Sequence, residues 1–165
     1  MMLRRRSPRS IGEEHPTDLA AARSAAIALL ARRDFASNEL RGKLRAQGFD
    51  DGTAAAVIGE LTHGGIVSDE RYAQNYVAYH SGRGQGPLRI AAQLRRHGLA
   101  PAAVDAALAG GPDWSALARQ ACHAKFGPQP PSSWSQKARQ ARFLQYRGFS
   151  SDHIRVATGA EFDPD

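Results

Sequence analysis

The chain has 165 residues, 42% of them hydrophobic but only 7% aromatic, so it is long enough to bury a core built mainly from Ala, Leu, Ile and Val. No run reaches the ~18 apolar residues of a membrane span. The basic start lacks the apolar segment of a secretory signal, and the single cysteine, Cys122, excludes an internal disulfide framework and fits a reducing, cytoplasmic compartment.

The net charge of +6 is uneven: +4 over residues 1–33, −4 over 34–70, +9 over 71–155 and −3 over the last ten. Such asymmetry is expected of a protein that meets a polyanion or an acidic protein surface, or of a soluble protein from an arginine-rich proteome.

Residues 1–16 read as a disordered basic tail. A first helix is predicted over about residues 18–33, after Pro16 and Thr17, and a second begins after Ser37. It ends at Gly48, and Asp50 or Asp51 caps a third over 52–61. The order then repeats. Ser68 caps a helix over 69–80 that has Asp69 and Glu70 in its first turn, the next starts at Pro87 and stops at Gly98, and Pro101 opens a helix over 101–109. In the last round a helix over 114–126 follows Asp113, another follows Ser132 or Ser133 and ends at Gly148, and Ser150 or Ser151 caps 151–157. Residues 81–86 and 127–133 read as mobile joints and 159–165 as a disordered acidic tail. No segment alternates with period two, so no sheet is expected.

The three glycines fall fifty residues apart, and other positions keep the same register. Leu44, Leu94 and Leu144 stand four before each glycine, Phe49, Leu99 and Phe149 directly after it, and Ala54, Val104 and Ile154 six after it. This is an internal repeat: an all-α chain of three tandem three-helix units, over 17–67, 68–110 and 111–158, about nine helices in all.

The segment Phe35-Ala36-Ser37-Asn38-Glu39-Leu40-Arg41-Gly42-Lys43-Leu44, followed by Gly48-Phe49, resembles the RecX family of recombination regulators. So does the stretch from Leu61 to Ala73, whose Gly65-Ile66-Val67-Ser68-Asp69-Glu70-Arg71-Tyr72-Ala73 joins one unit to the next, and so do Gly86-Pro87-Leu88-Arg89-Ile90, Leu94 and Gly98-Leu99. The resemblance covers about residues 25–158 and is carried by the first two units. It implies three-helix repeats forming a curved elongated array, no cofactor, and a role in limiting or tuning a RecA-type recombinase filament on DNA.

The residues themselves offer no catalytic arrangement. The histidines have no metal-ligand spacing, and adjacent Cys122 and His123 diverge by about 100° on a helix. Gly82-Arg83-Gly84-Gln85-Gly86 lacks the preceding strand and the Lys-Ser/Thr ending of a phosphate loop. No enzyme activity, metal or cofactor is expected.

The helix-glycine-helix unit also resembles a DNA-reading helix-turn-helix. However, the helices over 52–61, 101–109 and 151–157 carry few groups able to read bases, so sequence-specific readout is not expected. The basic residues lie on the preceding helices. Arg89 and Arg96 share one face, as do Arg139, Arg142 and Tyr146, and the repeat register places Arg139 on Arg89 and Tyr146 on Arg96. With Arg95 and Arg147 these form a candidate partner- or DNA-binding stripe. The partner implied by the resemblance is a recombinase filament, bound by a monomer with no membrane involved. The alternatives are a sequence-neutral DNA-binding module or an adaptor for another acidic protein.

Overall fold

In the computed structural model, which describes residues 11–159, the three glycines fifty apart all take positive φ: 97° at Gly48, 82° at Gly98 and 93° at Gly148. Each closes its helix with the same two hydrogen bonds. The amide of Phe49, Leu99 or Phe149 donates to the carbonyl of Leu44, Leu94 or Leu144, at 3.2, 3.3 and 3.1 Å. The glycine amide donates to the carbonyl three residues back, that of Arg45, Arg95 or Gln145. This is a Schellman closure, in which the apolar residue after the glycine folds back on the last turn. All six apolar residues of the three turns are buried.

The described residues form ten helices and no strand. They are α1 (Ile11–Glu14), α2 (Leu19–Leu30), α3 (Ser37–Ala46), α4 (Asp51–His63), α5 (Asp69–Ser81), α6 (Pro87–Arg96), α7 (Pro101–Ala109), α8 (Trp114–Phe126), α9 (Trp134–Arg147) and α10 (Ser151–Thr158). Nine match the predicted order. Asp18, Asp50, Asp113, Ser133 and Ser150 cap the helices that follow them, each side chain accepting from a backbone amide three residues on. Proline opens α6 and α7, where a missing N–H leaves nothing unsatisfied.

The chain divides into two compact units, the division falling just after Tyr72, inside α5. In the first, α2, α3 and α4 enclose Ala22, Ala26, Leu40, Leu44, Phe49, Ala54, Val57 and Leu61. No side chain of its own sequence neighbourhood caps α3, whose N-cap residue is Ala36. Asp69 does so from 32 residues away, accepting 2.7 Å bonds from both the amide and the hydroxyl of Ser37. A residue predicted only to favour the start of its own helix thus closes another.

Residues 11–16 depart from the expected disordered tail. Gly12 of α1 is buried on the Gly48 turn, where an added Cβ would lie 2.5 Å from the Gln47 carbonyl oxygen, and the amide of Asp50 donates to the Pro16 carbonyl. Residues 1–10 and 160–165, the rest of the predicted tails, lie outside the described residues.

In the second unit Ala73, Val77, Ile90, Ala91, Leu94, Leu99, Val104 and Ala107 are buried along α5, α6 and α7 and the turns between them. Ala118, Cys122, Ala141, Leu144, Phe149 and Ile154 form the core of α8, α9 and α10. Burial pushes the Cys122 thiol up to about 11, so it serves as a small apolar side chain rather than a nucleophile.

Candidate functional site

Within the second unit α6 begins where α9 ends. The amide of Gly86 donates to the Arg147 carbonyl at 2.8 Å and that of Leu88 to the Gly148 carbonyl at 2.9 Å. The unsatisfied donors of one helix start thereby meet the unsatisfied acceptors of one helix end. The approach requires glycine on both sides: an added Cβ would lie 2.3 Å from the Gly148 carbonyl carbon if placed on Gly86, and 2.3 Å from the Arg89 Cβ if placed on Gly148. Residues 81–86, read from sequence as a mobile joint, form a hydrogen-bonded turn with Gly84 at φ 79°, leading straight into this seam.

The seam gathers three of the predicted site residues. The Arg89 guanidinium lies 5.8 Å from the centre of the Tyr146 ring, and Tyr146 is 79% exposed. Arg147 lies 5.3 Å over Phe143, and its Nη1 donates to the Arg83 carbonyl at 3.4 Å. Arg139 is placed apart, 5.5 Å over Phe126. Arg95, Arg96 and Arg142 are exposed, and among the described residues no hydrogen bond or ring contact ties them to the seam. The predicted stripe is therefore a cluster at Arg89, Tyr146 and Arg147 with four outlying arginines. On α9 the residues Arg139, Arg142 and Tyr146 do share the face opposite buried Gln140, Ala141 and Leu144.

The electrostatics of the seam are one-sided. Among the described residues none of these arginines has a carboxylate partner; the unit's ion pair is the local one between Arg155 and Asp152. The positive field reaches His80, whose pKa is lowered by burial and then by Arg83, Arg89 and His97. His80 Nδ1 is buried without a hydrogen-bond partner among the described residues. Its neutral ring lies 4.1 Å from that of Tyr76, whose hydroxyl donates to Gln93.

Sequence reasoning missed four residues that carry this chemistry. Trp134 opens α9 at 83% exposure, flagged in the sequence only by being a large aromatic residue just after a proline-rich link. Arg83 stacks 4.1 Å over Tyr79, itself exposed, and Lys125 lines the same cavity as Arg147. Nothing in the repeat register points to them, because their partners lie on other helices. No group of His, Cys, Asp and Glu among the described residues could hold a metal ion, and no helix among them is long and apolar enough to cross a membrane.

The glycine-closed helix triplets define an all-helical protein built of three-helix units, with a basic seam whose arginines have no carboxylate partner among the described residues. Family models place the units individually: the first three-helix domain of RecX matches residues 22–61, the second 68–108 and the third 113–157. The chain belongs to the RecX family. It is 40% identical over 146 residues to the regulatory protein RecX of Halorhodospira halophila, covering 88% of this chain and 91% of that one. It is 39% identical over 141 residues to the regulatory protein RecX of Stenotrophomonas maltophilia, covering 85% of each. The crystal structure of RecX from Lactobacillus salivarius has the same fold, with a TM-score of 0.75 at 20% identity over 84% of this chain and 93% of that one.

Proposed function

We propose that this protein is a regulator that binds a RecA-type recombinase filament on DNA and restrains its strand exchange, using the arginines of α6 and α9. Family membership supports the regulatory role. The observation that carries the binding surface is the contrast in charge pairing: among the described residues Arg89, Arg139 and Arg147 of the second unit have ring neighbours and no carboxylate partner, whereas Arg23, Arg33 and Arg41 of the first pair with carboxylates, Arg33 lying over the Phe35 ring as well. An arginine stacked on a ring keeps the hydrogen-bonding edge of its guanidinium free for phosphate or carboxylate. In this reading the protein acts as a cytoplasmic monomer without cofactor or catalysis, and the functional domains span 17–67, 68–110 and 111–158.

A second reading, a sequence-neutral DNA-binding module with no protein partner, is favoured by one feature. Exposed Trp134 and Tyr146 flank Arg139 and Arg142 on α9, an arrangement suited to stacking unpaired bases beside a phosphate backbone. The two readings separate by measuring binding of the purified protein to single-stranded DNA, bare and coated with pre-formed RecA filament, at one fixed salt concentration. Tighter binding to the filament is the result expected. Equal binding to both would replace the filament reading with the DNA module.

A further inference from the structure

One cavity of the second unit borders the surface described above and shares Arg83, Lys125 and Arg147 with it. It holds about 390 Å³ between the 82–84 turn, α8 and the C-terminal half of α9, a size in the range of small-molecule pockets. Its walls divide by chemistry. Leu117, Ala121, Ala124 and Phe143 supply apolar lining and Arg83, Lys125 and Arg147 cationic lining, and among the described residues no carboxylate lines it. Three cations around one hollow repel each other and favour an anion of more than one charge.

The cationic side is built rather than incidental. Arg147 is held by two neighbours, the Phe143 ring beneath it and the Arg83 carbonyl at 3.4 Å, which leaves most of its N–H donors unused. Phe143 is itself held edge-on by Phe126, with ring centres 5.3 Å apart. The turn contributes no bulk. An added Cβ on Gly84 would find the Arg147 Nη1, at 4.0 Å, as its nearest neighbour, so the approach to that guanidinium is open. Gln120 adds an amide able both to donate and to accept.

An apolar wall with an aromatic ring, beside a triple-cation rim and an amide, matches a planar base joined to a phosphate. We propose that this cavity is a binding site for a nucleoside 5′-phosphate, with the phosphate between Arg83, Lys125 and Arg147 and the base against Leu117 and Phe143. The group has two sources, a free nucleotide or the 5′-phosphorylated end of a DNA strand. The site lies on a different face of α9 from Arg139, Arg142 and Tyr146, and the inference stands without the filament reading.

Calorimetric titration with deoxyadenosine monophosphate tests it, with inorganic phosphate and deoxyadenosine as partial ligands. The monophosphate is expected to bind at least about tenfold more tightly than either part. Arg147→Gln should weaken it about tenfold, and Ala124→Trp, which fills the cavity from an exposed position, should abolish it. Arg119→Gln, an equal loss of charge on α8 outside the cavity, should leave it unchanged, and thermal melting checks that each variant folds. Short oligonucleotides with a 5′-phosphate or a 5′-hydroxyl identify the source. Binding of the phosphorylated strand alone indicates a strand end, and failure of both strands while the mononucleotide binds indicates a free nucleotide. No binding of the monophosphate at about 1 mM, inorganic phosphate binding as tightly as the nucleotide, or an unaffected Ala124→Trp variant would each overturn the proposal.

Discussion

The two compact units use the same helical grammar but dispose of their arginines differently. In the first, Arg23 pairs with Glu60 at 2.8 Å, Arg33 with Glu39 at 2.6 Å while also lying 3.7 Å over the Phe35 ring, and Arg41 and Arg45 both reach Asp51. Arg71 there donates to the carbonyls of Gly65 and Ile66. In the second, Arg83, Arg89, Arg139 and Arg147 lie over Tyr79, Tyr146, Phe126 and Phe143. Carboxylates satisfy a guanidinium edge-on and neutralise it, whereas a ring holds its face and leaves both charge and edge available. Among the described residues the two units thus differ in what they offer a partner: arginines paired with carboxylates at Arg23, Arg33 and Arg41 in one, and unpaired ones at Arg83, Arg89, Arg139 and Arg147 in the other.

The shared grammar can be broken most severely at the glycine turns. Gly48→Ala and Gly148→Ala should each cost several kcal/mol, roughly 3 or more, since each adds left-handed strain to a backbone clash. Gly65→Ala, at φ 73° with open space around the added Cβ, should cost only about 1–2 kcal/mol. Denaturant melts of the three variants make the comparison, and equal losses would show that the helix-to-turn docking adds nothing.

A smaller effect, confined to the first unit, is expected at Asp69. Asp69→Ala removes both bonds to Ser37 at the start of α3 and should lower stability by about 1–2 kcal/mol. Hydrogen exchange should locate the loss in the first turn of α3.

Acid should act on the second unit. His153 Nδ1 accepts from the Ser150 amide at 3.3 Å and lies 2.8 Å from its hydroxyl, completing the capping box of α10. Burial, the largest influence, holds its pKa below 6.5 against the opposing pull of Asp152 and Asp113. A lowered folded value means that the unfolded chain takes up the proton first. The stabilisation is therefore complete above about pH 6.5 and is lost as pH falls below that towards and through the folded value. His80, lowered chiefly by burial, works in the same direction. His153→Gln, which keeps a side chain suited to the capping box but cannot titrate, should flatten the decline in melting temperature between about pH 7 and 5. An unchanged slope would assign the acid sensitivity elsewhere.

The least change in stability is expected from Arg139→Glu with Arg142→Glu. Neither residue has an ion-pair partner among the described residues, so stability should change by no more than exposed substitutions usually cause, about 0.5 kcal/mol, as read from thermal melts.

What the sequence revealed divides along physical lines. The glycine turns, the caps at Asp50, Asp113 and Ser150 and the prolines at α6 and α7 are local devices, in which donor and acceptor lie within a few residues, and they were legible. The exposed face shared by Arg139, Arg142 and Tyr146 followed from helical geometry in the same way. The Asp69 bond to Ser37, the Gly12 contact on the Gly48 turn, and the meeting of Gly86 with Gly148 each join residues more than thirty apart, and no periodicity encodes them. The arginine cluster was legible as an excess of charge but not as a set of ring contacts, since Arg89 and Tyr146 meet only when α6 starts on the end of α9. The anchoring of the turn at 81–86, expected from sequence to be a mobile joint, was not legible because its acceptor, the Arg147 carbonyl, lies on another helix.

The difference in arginine use is tested most directly by paired charge reversals in the two units, each assayed both for RecA-filament binding and for melting temperature. Arg139→Glu/Arg142→Glu should weaken filament binding while the melting temperature holds, and Arg23→Glu/Arg41→Glu, which sets like charges against Glu60 and Asp51, should lower the melting temperature while filament binding holds. Loss of filament binding in the first-unit variant alone, with the second-unit variant binding as before, would contradict the account.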